Sequence, residues 1–207
     1  FPANRGNALS SVMEFKQING NEEKISGTAM LGSSDVGLTI EGPISKRSNF
    51  IFSARRSYLQ LLFKALALPF LPTYNDCQLK ETIKFNNNNT LTVFGLGAID
   101  DFMLNKTVNE GITDSTTIER NDYILGYLPV NTQWNYTIGA NYKLFSNHGY
   151  TTLVVSRNHL NNKSVKYIDN TDNPADKILD YNSAEIENKF RVEKTIYKEM
   201  WKMNYGM

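Results

Sequence analysis

The stretch NTQWNYTIGANYKLFSNHGYTTLVVSRNHL, residues 131 to 160, decides the fold. Tyr136, Ile138, Ala140, Tyr142 and Leu144 alternate with Asn135, Thr137, Gly139, Asn141 and Lys143, a period of two that suits a strand and no helix. One face is apolar or aromatic, the other polar. Ser146-Asn147-His148-Gly149 then interrupts the run with turn-forming residues, Gly last to supply a positive φ, and Tyr150 to Leu160 follows as a second strand. The arms of this hairpin are about ten residues long, roughly twice the usual strand of a soluble domain and about what a tilted strand needs to cross a bilayer. The expected fold is therefore all-β, an antiparallel meander of long strands forming part of a transmembrane β-barrel.

Composition agrees with that and narrows the function. The 207 residues carry 22 Lys and Arg against 21 Asp and Glu, so no basic surface for nucleic acid is expected. Although 41% of residues are hydrophobic, no apolar run approaches the ~18 residues that mark a membrane helix. Any spanning falls to strands. The 11 Tyr and 11 Phe suit strand faces and the aromatic girdles of a barrel. Cys77 is alone, which excludes an internal disulfide and a multi-cysteine zinc site. The opening Phe1-Pro2-Ala3-Asn4-Arg5-Gly6 has no basic or apolar leader region, and Trp201 to Met207 resembles the start of another strand. Both ends are expected to be cut from a longer chain.

Working along the chain, Leu9 to Gln17 is expected as a strand, followed by a polar connection through Asn21. Further strands are expected from Ile25, from Val36 to Ile44 and from Asn49 to Tyr58. Leu59 to Leu68 lacks the period of two, is rich in helix formers and ends at Pro69 and Pro72. It predicts a short helix within a loop, either packed on a core or serving as a lid. Asp76 to Phe85 and Thr90 to Asp101 return as strands around the Asn86–Asn89 turn, with Glu81 breaking an otherwise apolar face. A polar segment without period runs from Phe102 to Val130 and a second from Asn161 to Tyr181, before Ala184 to Ile196 alternates again.

Connections thus alternate in length, short at Ser45, Asn86 and Ser146 and long near 59–74, 102–131 and 161–182; only the one near Ser34 is short where a long one is due. Outer-membrane barrels have short turns at one end and long loops at the other. A soluble meander or lipocalin-like barrel shares the strand order and remains an alternative, as does a complete eight-stranded outer-membrane barrel.

No catalytic constellation is present, and no enzyme is predicted. His148 lies in a turn and His159 near a strand end, without Cys or carboxylate at ligand spacing, so neither a metal nor a cofactor site is expected. Arg55 and Arg56 adjoin in a strand and so point to opposite faces. Glu185, Glu187, Lys189, Arg191 and Glu193 share one strand face and are most simply solvated in a lumen. Gly95 and Gly97 lie within a strand with no helix start after them, which is no phosphate loop.

Residues 1 to 15, FPANRGNALSSVMEF, resemble the end of the plug domain in TonB-dependent outer-membrane receptors. Leu38 to Ile44 and Phe50 to Leu59 resemble the second and third barrel strands of the Bacteroidetes-type receptors, though Asn7-Ala8 stands where many members carry Gly-Arg. The resemblance implies a plug inside a 22-stranded barrel that imports a scarce nutrient with energy from the inner-membrane TonB complex. Residues 1–21 would be the plug's end and its connection, with Arg5, Gly6, Leu9, Ser10 and Ser11 at the structural junction. Residues 22–207 would supply about eight barrel strands set in outer-membrane lipid. Arg55 and Arg56 become candidate lumen or plug contacts. The TonB complex would be reached through an N-terminal part outside this sequence, and the small cargo, whether siderophore, cobalamin, glycan or peptide, is left open.

Overall fold

The computed structural model describes residues 11 to 207. Nine strands form one sheet in which each pairs antiparallel with the next: β1 (Ser26–Leu31), β2 (Asp35–Ser45), β3 (Ser48–Ser57), β4 (Phe70–Asn86), β5 (Asn89–Leu104), β6 (Val130–Ser146), β7 (Gly149–Tyr167), β8 (Lys177–Lys198) and β9 (Trp201–Gly206). The all-β meander expected from the period of two is the observed fold. The described residues form nine strands, where about eight barrel strands are expected, and β1 and β9 do not pair with each other, so these residues do not close as an eight-stranded barrel.

The turns sort cleanly by end. Two-residue connections join β2 to β3, β4 to β5, β6 to β7 and β8 to β9. At the opposite end lie residues 32–34, 58–69, 105–129 and 168–176. The long connections contain α1 (Leu59–Ala65), α2 (Ser115–Tyr127) and two short 3-10 turns. In the β6–β7 hairpin Ser146 pairs with Gly149, whose φ of +151° a side chain would rarely adopt.

Strands run further than the sequence pattern indicated. β4 begins at Phe70, β5 reaches Leu104, β7 reaches Tyr167 and β8 starts at Lys177, so the loops expected at 59–74, 102–131 and 161–182 are all shorter. Towards the long loops apolar and polar residues no longer alternate, so the hydrophobic period fades while the hydrogen-bonded ladder continues unmarked. Pro72 sits inside β4 because β3 pairs only from Asn75 onward. At Pro72 the strand has a neighbour on one side, where a missing N–H is tolerated. The strand expected from Leu9 is not formed among residues 11–17, which have no neighbouring strand to complete their backbone hydrogen bonds.

Register assigns every side chain to a face. Ala54, Cys77, Gly97, Tyr136, His159 and Ile186 are successive partners across β3 to β8 and share the side that carries Ile138, Val155 and Phe190. Its large apolar residues are open: Ile138 is 52% exposed, Val155 49% and Phe190 65%. Opposite stand Arg55, Asp76, Gln78, Lys80, Thr82, Asn135, Thr137, Asn141, Asn158, Glu187 and Lys189. Pro69, Leu104 and Val108, all at the long-loop end, are buried apolar side chains. A soluble barrel folds around an enclosed apolar face, and here the apolar face is not enclosed.

Candidate functional site

The polar face has an occupant of its own. Residues 17–22 lie across it and meet β4 rung by rung, because alternate residues of a strand project to one side at intervals of roughly 6.6 Å. Gln17 Nε2 donates to Gln78 Oε1 at 3.1 Å. Lys80 Nζ donates to the carbonyls of Gln17 at 2.8 Å and Ile18 at 3.2 Å. Thr82 hydroxyl reaches Asn19 Oδ1 at 3.4 Å, and Lys84 Nζ is 2.7 Å from Glu22 Oε1. Glu41 adds a second anchor, accepting from the Asn21 amide at 3.1 Å and the Ser26 hydroxyl at 3.3 Å. Gly20 permits the closest approach: a Cβ there would fall 1.9 Å from the Phe50 carbonyl oxygen. The polar side of the sheet is thus built to hold chain.

Towards the long loops the same face carries a charged knot. Arg55 Nε is 2.9 Å from Asp76 Oδ2 on β4 and its Nη1 3.7 Å from Asp35 Oδ2 on β2. Tyr74 hydroxyl donates to Asp35 at 3.2 Å, and the Arg55 guanidinium lies 5.2 Å from the Tyr74 ring centre. Asp100 is the register partner of Tyr74 on the next strand. Two carboxylates shared by one arginine bind three strands together.

Of the residues expected from sequence, Arg5, Gly6, Leu9 and Ser10 lie outside the described residues, and Ser11 is exposed and outside any strand. Arg55 and Arg56 do point to opposite faces. Arg55 is paired, through carboxylates of neighbouring wall strands. Arg56, opposite Asn75, is on the apolar face and exposed. His148 lies in the β6–β7 turn, where its carbonyl accepts from the Tyr197 amide at 2.7 Å. His159 packs against Trp134 and Tyr136 with ring centres 4.7 and 5.5 Å away. Among the described residues no group of three or more His, Cys, Asp or Glu is arranged to hold a metal ion.

The long loops tie to one another at the mouth. Phe63 of α1 packs edge-on to Phe70, which stacks on Phe102. α1 itself buries no residue, so it rests on this aromatic ledge and not on a core. α2 begins at Asp114, whose side chain accepts from the Thr117 amide at 2.9 Å. Lys106 pairs with Asp172, and Lys166 donates to the Gly126 and Tyr127 carbonyls, joining the second loop to the third. α2 was not anticipated, yet Asp114-Ser115-Thr116-Thr117 carries a helix-start signal. The rungs from β4 to residues 17–22 had no local signal, since they join positions some sixty residues apart.

No protein-family model and no curated protein matches the chain. Among solved structures it is similar to the ferric enterobactin receptor of Pseudomonas aeruginosa, in a point-mutant form, with a TM-score of 0.55 and 9% sequence identity. The match covers 88% of this chain and 29% of the receptor. The chain has the fold of a stretch of receptor barrel, and it spans under a third of that receptor's length.

Proposed function

We propose that the chain is part of a TonB-dependent outer-membrane receptor, spanning the end of the plug and the first strands of the barrel, and that the whole protein imports a scarce nutrient. The observation that carries this is the inversion of faces: the apolar side is open, and along β2 to β4 the polar side is covered by residues 17–22 of the chain's own N-terminal segment. The strand-and-loop alternation and the receptor-like fold support it further. Residues 1–21 would close the plug, with Arg5, Gly6, Leu9, Ser10 and Ser11 at the junction. The Bacteroidetes-type assignment rests on the sequence resemblance alone. Partners would be the inner-membrane TonB complex, reached from the plug, outer-membrane lipid and a small cargo. Cargo identity belongs to loops and strands beyond those described.

The test is spin-label accessibility at positions 138 and 141 of the full-length protein in lipid, using one lipid-soluble and one water-soluble quencher. Quenching of 138 from lipid and of 141 from water is expected. A label at 138 shielded from both quenchers, with 141 open to bulk water, would replace the receptor by a soluble barrel.

A further inference from the structure

An arginine stands on the apolar face without a carboxylate. Arg157 of β7 shares that face with Ile138 and Asn188, its partners on β6 and β8. Its Nε donates to the Tyr136 hydroxyl at 3.1 Å and its Nη1 to Asn188 Oδ1 at 3.2 Å. Both partners are neutral. They orient the guanidinium without cancelling its charge, and leave both Nη2 protons for another acceptor. The neighbours on this face are Val155 and His159 along the strand and Ile138, Tyr136, Asn188, Ile186 and Phe190 across it, none of them acidic. Asp180 is on the same face much nearer the loops, opposite Val165, and is paired with Lys177 at 2.9 Å.

The level of Arg157 in the wall is informative. From the two-residue turn, β7 places Thr151, Leu153 and Val155 on this face before Arg157, and His159, Asn161 and Lys163 after it. On β6 the aliphatic run Leu144, Ala140 and Ile138, interrupted by Tyr142, gives way to Tyr136 and Trp134 at the same border. On β8 it is Asn188 that follows Val192 and Phe190. Aromatic rings with one polar edge gather where hydrocarbon meets head groups, and His159 completes such a cluster with Trp134 and Tyr136. The unneutralised cation therefore sits at the rim of the apolar belt, on its long-loop side.

We infer that Arg157, held by Tyr136 and Asn188 and flanked by His159, is a binding site for the phosphate of a lipid head group in the leaflet on the long-loop side. The guanidinium supplies charge and paired donors to phosphate oxygens, and the adjoining Ile138, Val155 and Phe190 supply the apolar surface along which the acyl chains of the same lipid would lie. This inference rests on the apolar face being lipid-facing.

The experiment uses the full-length receptor, with dioleoyl phosphatidic acid and dioleoyl phosphatidylcholine as probes and bound lipid counted by native mass spectrometry. The wild type should retain phosphatidic acid over phosphatidylcholine, and Arg157→Gln should reduce that preference about fivefold, the weight of one basic residue beside an anionic leaflet. Arg157→Lys should keep most of it, which a merely structural role for the side chain would not. Equal preference in Arg157→Gln and wild type overturns the site. Millimolar inorganic phosphate abolishing the preference would overturn the lipid as its ligand. Failure of the wild type to insert into phosphatidylcholine vesicles would overturn the membrane reading and this site together, whereas normal insertion with unchanged preference overturns the site alone.

Discussion

Arg55 Nε lies 2.9 Å from Asp76 Oδ2 across the β3–β4 ladder, on the polar side of the sheet. The arginine's acidic partners thus come from the wall itself, Asp76 on β4 and Asp35 on β2. Arg55→Ala would leave those two carboxylates facing the same small space. Because the side chain of Arg55 is 44% exposed, its coupling to Asp76 should be modest, about 0.5–1 kcal/mol. A double-mutant cycle with Asp76→Asn, read by unfolding of the full-length protein in detergent, measures it. No coupling, together with full coupling to a plug carboxylate, would move Arg55 from wall to plug partner.

Lys80 is the central rung beneath residues 17–22, donating to two carbonyls of the segment it holds. Lys80→Met keeps most of the side chain's length and apolar stem but removes both donors. Loss of hydrogen bonds from a charged group weakens local closure by roughly 1.5–3 kcal/mol, so amides of residues 17–22 should exchange about tenfold faster or more. Hydrogen exchange resolved to that segment is the check, and amides of β4 that pair with β5 serve as the internal control. Unchanged exchange at 17–22 would mean that Glu41 and Glu22 hold the segment without Lys80.

The sheet was legible in the sequence wherever one face was apolar and the other polar. Tyr136 to Leu144 announced β6 for that reason, and the Asn147–His148 turn followed from Gly149. The same logic failed at Phe70 to Asn75 and Asn161 to Tyr167, where strands continue largely half-buried but apolar and polar residues no longer alternate. It failed in the other direction at Val12 to Phe15, where apolar residues suggest a strand that has no neighbouring strand among the described residues. The candidate site was half legible. Opposite faces for Arg55 and Arg56 follow from strand geometry, whereas the meeting of Lys80 with Gln17 depends on tertiary placement that no local pattern encodes.

At Asp114 the carboxylate caps α2, and its hydrogen bonds from the Thr117 hydroxyl and amide hold its pKa below the ordinary carboxylate value. A carboxyl depressed in the folded state stabilises the helix fully above its unfolded value and ceases to do so as pH falls through its folded value. Protection of the Thr117 amide should therefore persist at neutral pH and decline on the acid side of the usual Asp range. In Asp114→Asn that acid-side decline should disappear, because Asn accepts the same bond without titrating. Hydrogen exchange at Thr117 over an acid pH series distinguishes this from general acid unfolding, which would persist in the variant.

Gly149 closes the hairpin at a φ of +151°, and a Cβ there would fall 1.9 Å from the Thr195 carbonyl oxygen of β8. Gly149→Ala therefore meets both an unfavourable backbone region and a backbone atom that cannot step aside. A cost of about 1–3 kcal/mol is expected, concentrated where β6, β7 and β8 meet the two-residue turns. The fraction of full-length protein that folds in lipid, read by its altered migration on unheated gels, should fall. By contrast Gly126, with open space around its α-carbon, should accept Ala with no such loss.

Neighbouring positions on one strand separate the two sides of the wall most sharply. Ala140 and Asn141 are adjacent in β6, the first on the face of Ile138 and Val155, the second on that of Lys143 and Ser156. Arginine at 140 would project from the middle of the apolar belt, where a cation facing hydrocarbon costs about 2–4 kcal/mol in a transmembrane barrel. Arginine at 141 would project into the polar interior beside Val154 and Thr92, where its head can remain hydrated and the cost should be within about 1 kcal/mol. Comparing Ala140→Arg with Asn141→Arg by folding titration in lipid vesicles places the bilayer on one side of the sheet. Equal costs would mean that neither side faces hydrocarbon. The reverse order would put lipid against the face that Lys80 and Arg55 occupy.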